Sequence, residues 1–160
     1  MPQSHRKTPR AHVGAMLGFL LALCALAPAA SQATSATVSR TLNLNENGRL
    51  RLTSHHGFTL NERGSASGTI HGTIYIHLTV SSTNHVSAEV NIYPSGGSLT
   101  GYASAAYHVH GATASFNGTM NIARGTGSYS HARGSGLGFN GTIQRSNDAV
   151  NVSLSGRMSY

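Results

Sequence analysis

An all-β fold, an eight-stranded antiparallel β-barrel behind an N-terminal signal peptide, is predicted by three observations. Beyond residue 36, apolar and polar residues alternate at period two over most of the chain, the pattern of a strand with one buried face. In the second half the apolar set changes between even and odd numbers wherever turn chemistry occurs, so each change marks a chain reversal. Glycines also recur on the apolar parity, at Gly68, Gly72, Gly101, Gly118, Gly141 and Gly156. A small, tightly coiled barrel needs small inward residues of that kind.

The first 33 residues read as a targeting segment. Arg6, Lys7 and Arg10 form a basic leader, Val13 to Leu26 is an apolar run, and Ala27 to Ala33 is small-residue sequence suited to a signal peptidase. Cleavage is expected after Ala33, with Ala29 as the second choice, and the mature chain is expected to be extracellular. The apolar run is short for a membrane span. Cys24 lies inside it, behind Leu23 rather than a small residue, so the mature chain lacks cysteine and relies on its core and its hydrogen-bonded ladders. One domain over residues 34–160 is of a size to hold a single such core.

Strands are predicted in order from Thr37 to Leu44, from Arg49 to Leu60 with a break at Gly57, from Ser67 to Ser81 and from His85 to Tyr93. Asn45 to Gly48 is expected to join the first two, because Asn47–Gly48 is the strongest short hairpin signal in the chain. Val86, Ala88, Val90 and Ile92 are even; Leu99 to Val109 are odd over Ser98–His110; Ala114, Phe116, Met120 and Ile122 are even over Ala112–Ala123. Leu137, Phe139 and Ile143 return to odd over Gly134–Arg145, and Val150 to Met158 close on even over Ala149–Ser159. The reversals fall at Pro94–Gly97, Gly111, Arg124–Gly127 and Ser146–Asp148, all rich in turn formers. No stretch has helical spacing with a cap.

After cleavage eight arginines face four acids, a net charge of four. The arginines are spread about one per strand or turn, whereas nucleic-acid readers cluster cations on one face. No nucleic-acid partner is therefore expected; weak attraction to an anionic cell-surface polymer is.

Gly118-Thr119-Met120-Asn121-Ile122, Arg124-Gly125-Thr126-Gly127-Ser128-Tyr129, and then Ala132, Gly134, Gly136 and Phe139 resemble the Gly-Thr-Gly-x-aromatic-x-x-Ala-x-Gly stretch of the allene oxide cyclase and dirigent superfamily and its secreted bacterial relatives. The resemblance covers about twenty-five residues closely. It implies an eight-stranded antiparallel barrel, often a homo-oligomer in the plant members. Those members set acidic or polar groups in the barrel cavity. Here Glu89 opposes the apolar parity, and Glu46, Glu62 and Asp148 are assigned to turns or loops. The interior is thus expected to lack a carboxylate, and no catalytic residue is assigned.

Two candidate sites remain. The bulkier inward residues Ile74, Ile76, Phe116, Met120, Leu137 and Phe139 would either contact a small apolar ligand or fill the core. His108 and His110, two apart on a strand, would put two imidazoles on one face, a spacing that can supply two ligands to zinc or copper. Two ligands do not close a site, and a third would have to come from His71, His77, His85 or His131. No cofactor is implied. The function expected is that of a secreted, soluble, non-catalytic binding or structural barrel. The alternatives are a cyclase or isomerase acting on a small apolar substrate, and a small outer-membrane barrel. The second is suggested by Tyr160 closing an alternating strand and opposed by the absence of tryptophan.

Overall fold

A computed structural model describes residues 39–160. The leader, Cys24, the cleavage sites and the expected strand start at Thr37 lie outside the described residues. Those described form eight antiparallel strands: β1 Thr41–His56, β2 Thr59–Gly68, β3 Gly72–Ser82, β4 His85–Pro94, β5 Gly97–His110, β6 Thr113–Gly127, β7 Gly134–Gln144 and β8 Ala149–Ser159. Each strand pairs with the next, and β1 pairs with β8 from Thr41↔Ser159 to Leu50↔Val150, which closes the barrel. Among the described residues, closure leaves no strand edge unpaired.

The number of strands is as expected, but the first half divides differently. No hairpin forms at Asn45–Gly48. β1 runs through it without interruption, pairing Glu46 with Gly68 and with Leu154. The reversal comes instead at Gly57–Phe58, where Gly57 takes a φ of 59°, a conformation that favours glycine. The expected strand from Ser67 to Ser81 is split by a loop at 69–71, and Ser67 and Gly68 belong to β2. In the second half Arg124–Gly127 remains in β6, paired to Gly97–Thr100, and the chain turns over 128–133.

Inward residues are even on β1–β4, odd on β5, even on β6, odd on β7 and even on β8. They form one apolar core from Leu44 to Met158. The inward glycines are where neighbouring groups fill the space. At Gly141 an added Cβ would lie 2.3 Å from the Asn151 carbonyl oxygen and 2.4 Å from Cζ of Phe116. Gly141→Ala is therefore expected to lose about 1–3 kcal/mol by overpacking, seen as a lower urea midpoint with an unchanged slope.

Candidate functional site

The expectation of an apolar ligand falls on the barrel interior. Ile74 and Ile76 on β3, Phe116 and Met120 on β6, and Leu137 and Phe139 on β7 all point inward and are at most 3% exposed. The rings of Phe116 and Phe139 stack with centroids 4.9 Å apart. An added Cβ at inward Gly48 would meet Val152 at 2.7 Å and Ile74 at 3.3 Å. A groove of about 540 Å³ opens at the surface between Thr41, Asn121, Arg133 and Arg157, and none of the six residues lines it.

The interior does hold carboxylates, against the expectation that it would not. Glu46 and Glu62 are each 1% exposed and face into the barrel, because uninterrupted β1 and β2 keep even residues inward. The backbone N–H of Ile70 donates to Oε1 of Glu46, while Oε2 has no partner. Burial raises this carboxyl above its ordinary range, against the lowering effect of the Ile70 amide, His71 and the Thr69 amide. Neither oxygen of Glu62 has a partner. Burial pushes its pKa to about 7, with the Asp148 carboxylate adding to the rise. Asp148 sits between β7 and β8 with a φ of 52°, a left-handed conformation that aspartate tolerates better than most residues.

These two carboxyls do not form a catalytic pair. Glu62 lies opposite Leu52 on β1, six residues along that strand from Glu46, which is about 20 Å at strand rise. Paired-carboxylate chemistry needs separations of about 5–10 Å. Towards the Glu46 end, Tyr129 and Tyr160 pack against the core with ring centroids 5.2 Å apart. Burial raises the Tyr129 phenol, and Tyr160 and Glu46 add to the rise.

His108 and His110 do share a face of β5, near its end, and both are exposed. Their cross-strand partners are Ser115 and Thr113. Among the described residues, no group of three or more histidine, cysteine, aspartate or glutamate side chains is placed to hold a metal ion.

The outer face gathers groups that looked dispersed along the chain. Arg51 on β1 stands directly opposite Arg63 on β2, and Arg49 opposite Ser65. Arg63 is in turn paired with Tyr75 on β3, its guanidinium carbon 5.4 Å from the centre of that ring, a cation–π contact. Tyr93 on β4 meets Tyr75 edge to face, with centroids 5.6 Å apart and planes at 90°. Beside them Oγ1 of Thr100 donates to Oδ1 of Asn91 at 2.7 Å, and Nδ2 of Asn91 donates to Oε1 of Glu89 at 3.0 Å. Arg49 and Arg51 were legible as neighbours on one face from their spacing alone; Arg63, Tyr75 and Tyr93 needed the register between strands.

Comparison of the chain with protein-family models, with curated proteins and with solved structures finds no match.

Proposed function

We propose that this protein is an exported, non-catalytic binding barrel that works through its outer face. The observation that carries this reading is the filled interior: the six bulky inward residues are at most 3% exposed, and the inward glycines have neighbours where side chains would stand. A small barrel filled by its own side chains has no room for a substrate, and the two inner carboxyls are too far apart to act together. The leader supports export, and the motif from Gly118 to Phe139 supports kinship with the allene oxide cyclase and dirigent superfamily. The distribution of polarity argues against the outer-membrane alternative. Membrane barrels put their apolar band outside, whereas here the outward positions of β1 carry Asn43, Asn45, Asn47, Arg49 and Arg51.

Native mass spectrometry on the mature chain, recovered from an exporting host without detergent, tests the proposal. A bare protein species, as monomer or oligomer, is expected. A stoichiometric small-molecule adduct would overturn the reading of the interior as filled, which carries the proposal, and a chain that stays in solution only with detergent would revive the membrane barrel.

A further inference from the structure

We propose that the outer face of β1–β4 is a binding site for a linear acidic polysaccharide, with Arg49, Arg51 and Arg63 taking its carboxylates and Tyr93 stacking on a sugar ring. This rests on the outer-face reading above and names its partner. Arg51 and Arg63 are a directly opposed cross-strand pair, which puts their Cβ atoms about 5 Å apart. Arg49 follows about 7 Å along β1. Like charges so placed repel, and the chain's four acids after the leader do not offset them from neighbouring strand positions. Glu46 and Glu62 face inward, Glu89 accepts from Asn91 on β4, and Asp148, in the β7–β8 turn beside the Arg51 end of β1, acts on the inward Glu62. A carboxylate bound between the guanidinium groups would relieve the repulsion through charge-assisted, bidentate hydrogen bonds.

The surroundings select the class of anion. A surface groove of about 400 Å³ runs between Arg49, Arg51 and Arg63, and Thr53, Ser65 and Thr73 complete its walls. Their hydroxyls suit a ligand rich in hydroxyls of its own. Tyr93 is 50% exposed and meets Tyr75 with the ring planes at 90°, which leaves it the more open of the two rings, since Tyr75 is half-buried and covered by Arg63. One open ring serves a pyranose. A single-stranded nucleic acid calls for successive aromatic platforms along a cationic track. A membrane surface calls for exposed apolar groups beside the cations, but the exposed Phe58 lies at the tip of the β1–β2 hairpin, five residues from Arg63, and Val109 near the end of β5, so neither stands beside the three arginines.

The test titrates the mature protein at low ionic strength with oligogalacturonate, with its methyl ester, with oligothymidylate, and with vesicles of phosphatidylglycerol and phosphatidylcholine. Oligogalacturonate is expected to bind, and the uncharged ester to bind about tenfold more weakly or worse. The double variant R51Q/R63Q should lose about tenfold or more in affinity for oligogalacturonate without a lower unfolding midpoint, since it also removes a like-charge pair. Tyr93→Ala should weaken the saccharide several-fold. Undiminished binding by R51Q/R63Q, tighter binding of oligothymidylate or of vesicles, or no saccharide binding would each overturn the site. Loss of binding in R51Q/R63Q together with an adduct in the native mass spectrum would uphold the arginine site and overturn only the reading of the interior as filled. Undiminished binding with a bare spectrum would overturn the arginine site alone.

Discussion

Replacing Glu62 by leucine is expected to stabilise the barrel at pH 8 by about 3 kcal/mol and to remove most of the loss of stability that the native chain suffers between pH 4.5 and 7. In the folded chain Glu62 keeps its proton up to about pH 7, because its buried carboxyl has no partner and faces the charge of Asp148. In the unfolded chain it releases that proton near pH 4.5. Between those values the folded state holds one proton more than the unfolded state, so stability falls as pH rises, by about 1.4 kcal/mol per unit. Below pH 4.5 the penalty is absent, and above pH 7 it is complete and constant. Urea midpoints from pH 4 to 8.5 check this. Glu62→Leu should flatten the profile, leaving a smaller slope from Glu46, whose carboxyl is raised in the same direction. Glu62→Gln should also lose the slope but gain less, because an amide without partners replaces the carboxyl. A native profile flat across this window, or a Glu62→Leu profile parallel to it, would show that Glu62 is ionised or solvated in the folded state.

Why those glutamates escaped the sequence reading is a matter of strand register. Cross-strand partners share a face, so a two-residue hairpin pairs even with odd positions, and the inward set changes parity at the turn. This holds at Ile92↔Leu99 and at Val109↔Ala114, and the second half was legible for that reason. The register slips between Leu52 and Ser54, and again between Val80 and Ser82. Each bulge adds one residue and cancels the change of parity, leaving Leu50 opposite Gly64 and Leu78 opposite Ala88. The turns at Gly57 and at 83–84 therefore leave no mark in the alternation. Without it, Asn47–Gly48 carried the assignment on turn propensity alone, and tertiary pairing overrode that propensity. The contrary signal was present: Leu42, Leu44, Glu46, Gly48, Leu50 and Leu52 are all even, with no reversal between them. Following that parity would have put Glu46 inside.

The outer site was less legible, for a different reason. Period two places Arg49 beside Arg51 on one face, but contacts between strands depend on loop lengths and bulges that sequence spacing does not reveal. Arg63 is twelve residues from Arg51 and Tyr93 is thirty from Arg63; register alone makes them neighbours. The ladder across Arg51, Arg63 and Tyr75 exists because the Leu52–Ser54 bulge shifts β2 by one position. Without it, Arg63 and Arg51 would not share a face.

Phe139→Ala is expected to cost about 3–5 kcal/mol, the largest loss for any single truncation of this core. Phe139 is fully buried, stacks on Phe116, and stands between Gly118 on β6 and Leu154 on β8. Both neighbouring strands are paired on both sides and cannot collapse inward to fill the space, and Gly118 has no side chain to swing into it. The variant should therefore retain an apolar cavity, dry and able to take benzene or xenon. Benzene should raise the urea midpoint of Phe139→Ala and leave that of the native chain unchanged, since a ligand stabilises only a fold that binds it. A native chain stabilised by benzene would mean that its barrel already offers a pocket, and that the interior is a binding site after all. A Phe139→Ala chain within about 1 kcal/mol of native stability would likewise show a loosely filled interior. The opposite pair of results makes the barrel a scaffold whose core is occupied by its own side chains, and leaves chemistry to the arginines and tyrosines that the same strands turn outward.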